Sequence, residues 1–87
     1  RRAGTTASLD AIQKHFTIAQ MPIVASTYWD MVFGPVPELV EQDQEGLQTM
    51  RTLGKNMAWL LRCIQTGREH GVPRPEAEKG RKTNFNR

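Results

Sequence analysis

Ile23-Val24-Ala25-Ser26-Thr27 is the stretch on which the fold class turns. It follows Met21-Pro22, where Pro22 lacks an amide donor and restricts Met21, so any earlier helix must end there. Short, β-branched and largely apolar, the run reads as a strand buried on both faces, as in parallel α/β sheets. A lone strand leaves its backbone groups unpaired. The reading therefore requires a partner sheet from outside the chain.

On the N-terminal side, residues 1–6 form a polar entry loop in which Thr5 or Thr6 can cap a helix, with Asp10 in its first turn. Leu9, Ile12, Phe16 and Ala19 follow at helical spacing and predict a helix over 6–19. On the other side, Tyr28-Trp29-Asp30-Met31-Val32-Phe33-Gly34-Pro35 has neither helical nor strand period and reads as an apolar loop. Pro37 can open a helical turn at Glu38. The acids Glu38, Glu41, Asp43 and Glu45 then precede Leu47, Met50, Gly54, Met57, Leu61 and Ile64, which alternate by threes and fours. Leu53 and Leu60 widen that stripe, which reads as core, and the spacing predicts a helix over 44–69. Gly54 costs about 1 kcal/mol relative to Ala inside a helix, which points to close backbone packing there. Arg62 and Arg68 suit the C-terminal end, Gly67 or Gly71 can supply a left-handed cap, and Pro73 and Pro75 forbid continuation. The order helix, strand, long helix makes residues 1–72 one unit, with 73–87 as a basic tail.

With 87 residues the chain is the size of one small domain. Its net charge of +3 lies wholly in residues 67–87, because residues 1–66 carry six basic and six acidic side chains. Interleaved acids in that tail argue against nucleic acid as a partner. One cysteine, Cys63, excludes an internal disulfide and any multi-cysteine metal site, and His15 and His70 stand without ligand-spaced neighbours. No metal site is expected. No apolar run suits a signal peptide or a membrane span, and a cytoplasmic location is expected. The start at Arg1 without an initiator Met suggests a chain cut from something longer.

Two places suit chemistry. Arg1, Arg2 and Gly4 ahead of Thr5 and Thr6 offer guanidinium, backbone N–H and hydroxyl groups to an anionic or carbonyl-rich ligand edge, although on the residues alone a capped helix start with flanking charge is the favoured reading. Tyr28 and Trp29 leave the carboxyl end of the candidate strand, where ligands gather in α/β sheets; an oligomer contact is the competing reading. No nucleophile triad, acid–base pair or Walker loop is present, so no catalytic residue is assigned.

Several blocks then fall in one order: Arg1-Arg2-Ala3-Gly4-Thr5-Thr6, Met21-Pro22-Ile23-Val24, Ser26-Thr27-Tyr28-Trp29-Asp30-Met31-Val32-Phe33-Gly34, Glu45-Gly46-Leu47-Gln48-Thr49-Met50-Arg51-Thr52-Leu53-Gly54-Lys55-Asn56-Met57-Ala58-Trp59-Leu60 and Thr83-Asn84-Phe85. In this order they resemble the NAD(P)H-dependent FMN reductases of the flavodoxin-like superfamily, in the branch close to the iron–sulfur flavoproteins. The resemblance implies the C-terminal portion of a flavodoxin-like, doubly wound parallel sheet, with residues 22–26 as its last strand. It implies FMN as cofactor, NAD(P)H as co-substrate and electron delivery to an acceptor. Arg1, Arg2, Ala3, Gly4, Thr5 and Thr6 would approach the isoalloxazine, with Tyr28 and Trp29 beside it. The implied partners are the missing N-terminal part of the same domain and further copies in a homo-oligomer. The phosphate loop and first strands of that family are absent from the sequence. An iron–sulfur cluster stays open for the parent protein but not for this chain, where Cys63 matches no ligand position. The alternative from another class is a non-enzymatic helical module that binds a partner or nucleic acid.

In the full-length protein, Arg2→Ala is expected to change the flavin's reduction potential or affinity more than the fold, because a nearby guanidinium favours the anionic reduced ring. Redox titration of both proteins checks this, and unchanged potential and affinity would leave Arg2 a surface charge.

Overall fold

The structure is a computed structural model that describes residues 4–84. Its regular elements are α1 (Thr5–Thr17), α2 (Pro37–Val40) and α3 (Gln44–Glu69). No strand occurs among the described residues, and this corrects the expected α/β flavodoxin-like sheet. Residues 21–26 have no regular secondary structure and pair with no second strand among the described residues. The reason lies in the rest of the chain, which holds no other β-branched run to complete a ladder. Side chains meet part of the segment's needs instead. Asn56 Nδ2 donates to the Ala25 carbonyl at 2.8 Å, and Ser26 Oγ donates to the Thr49 carbonyl at 2.7 Å, so the run lies along α3.

α1 starts one residue earlier than its apolar period implies. Gly4, in the left-handed region at φ 77°, is the N-cap, and no side chain caps the helix. Thr5 and Thr6 lie inside α1, so neither is the N-cap, and Asp10 falls beyond the first turn. The C-terminal end carries Lys14 and His15, where the helix dipole favours cations.

Both longer helices stop by one device. After α1, the Met21 amide donates to Phe16 O at 3.0 Å and the Gln20 amide to Thr17 O at 3.2 Å, with Gln20 at φ 60°. After α3, the Val72 amide donates to Gly67 O at 2.9 Å and the Gly71 amide to Arg68 O at 3.2 Å, with Gly71 at φ 86°. This is the Schellman pairing, and in each case proline follows one residue later to prevent propagation. Gly71 takes the left-handed region without steric cost, whereas Gln20 carries a Cβ penalty of about 1–2 kcal/mol.

The loop 28–36 is irregular, as its mixed pattern predicts, and Pro37 opens the single turn of α2. Asp43 then joins loop to helix. Its Oδ1 accepts from the Gly46 amide at 3.1 Å and caps α3, while Oδ2 accepts from the Phe33 amide at 2.8 Å. Gly46 is buried where the loop crosses the helix; a Cβ there would lie 3.0 Å from the Met31 carbonyl oxygen. Met31 is the buried hydrophobic side chain of the described residues, at 8 % exposure.

The apolar stripe of α3 departs from expectation. Met50, Met57, Leu61 and Ile64 are exposed and Leu47, Leu53 and Leu60 only half-buried, so the described residues leave much of the face read as core uncovered. Gly54 meets nothing within 4 Å of its Cβ position, and the close packing expected there is not supplied by the described residues. The three helices make no contact with one another. The result is a slab of 53 × 46 × 18 Å with a radius of gyration of 18.4 Å, where a compact chain of this length has about 12 Å. Among the described residues no helix is long and apolar enough to cross a membrane.

Asp43→Ala removes both acceptors at once and is expected to lower α3 stability by about 1–2 kcal/mol. Hydrogen exchange should speed up at the Phe33 and Gly46 amides together. Exchange that accelerates at Gly46 alone would mean that the loop is held by other contacts.

Candidate functional site

The first turns of α1 and the extended segment do not close on each other. Between them runs an open cleft of about 710 Å³, with Thr6, Asp10 and Gln13 on the helical side and residues 23–30 on the other. That volume lies in the range of ligand sites, roughly 300–1000 Å³.

At one end stand Tyr28 and Trp29, 52 % and 61 % exposed. Their ring centroids lie 6.2 Å apart with planes tilted by 47°, an ordinary aromatic pair geometry. Large rings this exposed gain little by burial within the chain, so they are available to a flat ligand or to another protein surface.

The polar lining is acidic. Asp10 and Asp30 both border the cleft, and no Lys or Arg does so among its lining residues. Asp30 Oδ1 is buried and has no hydrogen-bond partner. Ser26 also lines the cleft, but its hydroxyl is committed to Thr49 O. An anionic phosphate would meet two carboxylates here without a compensating cation, whereas a neutral ring with N–H donors would meet acceptors.

Of the residues marked from the sequence, Thr6, Tyr28 and Trp29 share this cleft. Gly4 and Thr5 sit at the adjoining start of α1 and do not line it. Arg1, Arg2 and Ala3 lie outside the described residues. Sequence reasoning passed over Asp30 and treated Asp10 as a dipole partner of the helix. The available signal was that Asp30 is the sole charged residue in the apolar run 28–33. Cys63 is exposed and far along α3 from the cleft lining, and no group of metal-ligating side chains occurs among the described residues.

No protein-family model, curated protein or solved structure matches this chain. The likeness to FMN reductases thus rests on the quoted residues themselves.

In the full-length protein, Trp29→Ala is expected to weaken binding of a planar ligand about tenfold, the worth of one aromatic contact, while far-UV circular dichroism stays unchanged. Flavin fluorescence titration and sedimentation read the two alternatives separately. Intact flavin binding with a smaller oligomer would assign Trp29 to a subunit interface instead.

Proposed function

We propose that this chain is one part of an FMN-dependent NAD(P)H oxidoreductase, supplying a wall of the site that shelters the flavin ring. The observation that carries the reading is that Thr6, Tyr28 and Trp29, singled out by sequence, line a single cleft of ligand size. The lining supports a ring over a phosphate: two aromatic faces and threonine hydroxyls, with no lining cation. FMN, when bound, supplies hydride acceptance from NAD(P)H and onward electron delivery. The residues of this chain hold and orient the ring and limit its contact with water.

A longer protein, assembled as an oligomer in the cytoplasm, completes the site in this reading. The support is surface area. The chain exposes 8290 Å², where a compact protein of this mass exposes roughly 5200 Å². The uncovered stripe of α3 belongs to that excess. The same stripe favours the second reading, a non-enzymatic helical module whose long helix docks on a partner. Flavin absorbance of the full-length protein separates the two.

Purified alone, the 87 residues are expected not to retain stoichiometric FMN, because the cleft offers the phosphate no cation. Titration followed by flavin fluorescence checks this, and submicromolar binding by the isolated chain would contradict it.

A further inference from the structure

Along α3, Leu47, Met50, Gly54, Met57, Leu61 and Ile64 recur at intervals of three, four, three, four and three. Met50, Met57, Leu61 and Ile64 are exposed, and a Cβ at Gly54 would meet nothing within 4 Å. The segment 25–26 is fastened beside this stripe and not over it. Its bonds go to Thr49 and Asn56, each about 100° round the helix from the methionine that follows. An apolar period of 3.5 residues is that of helices lying side by side, with each side chain seated between those of its neighbour.

The intervals read the same from either end. The stripe is therefore complementary to itself about a two-fold axis passing between Lys55 and Asn56. Turned about that axis, Leu47 faces Ile64 of the second copy, Met50 faces Leu61, and Gly54 faces Met57. An unbranched methionine fills irregular gaps well, and Gly54 is such a gap. Parallel pairing in register would set Gly54 against Gly54 and leave a void at the centre of the contact. Charge favours the same direction. The first turn of α3 carries Glu45 and the last turn Arg68, so antiparallel helices bring unlike ends together. The exposed area is also sufficient. The chain exposes 8290 Å², against roughly 5200 Å² for a compact protein of this mass, and a standard interface takes about 800 Å² from each partner.

We propose that the apolar stripe of α3 is a self-association surface, on which a second copy of this chain docks its own α3 antiparallel, with Met57 seated over Gly54. The inference deepens the oligomer named under the proposed function by giving it a contact surface. It draws on no flavin contact.

The experiment uses the full-length protein with Cys63→Ser and any other reactive thiol replaced, and a short thiol cross-linker. Met57→Cys lies about 5 Å along the axis from its counterpart and is expected to link the two copies. Ile64→Cys lies about 25 Å from its own counterpart and is expected not to link alone, but to link when Leu47→Cys is added. Leu61→Glu changes a side chain 60 % exposed in the single chain. It is expected to weaken the dimer about a hundredfold or more in sedimentation, since each dimer loses two buried leucines. Linking at Ile64→Cys alone as efficient as at Met57→Cys overturns the antiparallel arrangement. A wild-type protein that sediments as a monomer overturns the inference without any variant, so a misfolded mutant leaves it falsifiable. A dimer in which Met57→Cys fails to link also overturns it, and places another segment or another partner over the stripe. Flavin absorbance is read on the same samples: a linked dimer without flavin keeps this inference and removes the flavin reading.

Discussion

Hydrogen bonds from three side chains, not an apolar core, hold the irregular segment 21–36 against α3. Ser26 and Asn56 tie residues 25–26 to the middle of the helix, and Asp43 ties Phe33 to its first turn. Each is worth about 0.5–1.5 kcal/mol net, far below what a packed core of this length supplies. Their effect is positional. They fix the direction in which the loop leaves α3, and Met31 and Gly46 are buried at that crossing because the loop is drawn onto the helix there. Thr49, 3 % exposed, sits under the same seam with its own hydroxyl donated to Glu45 O at 2.9 Å. The seam also sets one wall of the cleft, since residues 23–30 run directly from it.

Features governed by local chemistry were legible in the sequence. The 44–69 helix, its Gly71 terminator, the proline-opened turn at Pro37 and the irregular loop after Thr27 all follow from residues acting on their immediate neighbours. What needed a partner was misread. The run 23–27 has strand chemistry but no second strand among the described residues, so the Ala25 carbonyl turns to Asn56 instead. Likewise the Leu/Met stripe of α3 has the period of a core face, yet period reports which residues seek cover, not who supplies it. Gly54 belongs to the same case: the notch is present and no described residue fills it.

The candidate site divides along the same line. Thr6, Tyr28 and Trp29, marked from local signals (a helix start and an aromatic pair), line one cleft. Asp30 was not marked, since its significance is that its oxygen is buried without a donor, a property of the assembled loop and not of the residue type. Asp10 illustrates the ambiguity in reverse. An acid near a helix start is ordinarily explained by the dipole, but α1 begins at Thr5, which carries Asp10 past the first turn and onto the cleft wall.

Acidity and openness of the cleft are physically linked. Two carboxylates facing one enclosed space would repel across a low-dielectric gap, at a cost that falls steeply as solvent enters. An open cleft tolerates Asp10 and Asp30 together, whereas a closed one requires a donor or cation between them. Closure and occupation are therefore coupled: whatever covers the slab must bring N–H groups or positive charge to this wall, or else leave the cleft wet.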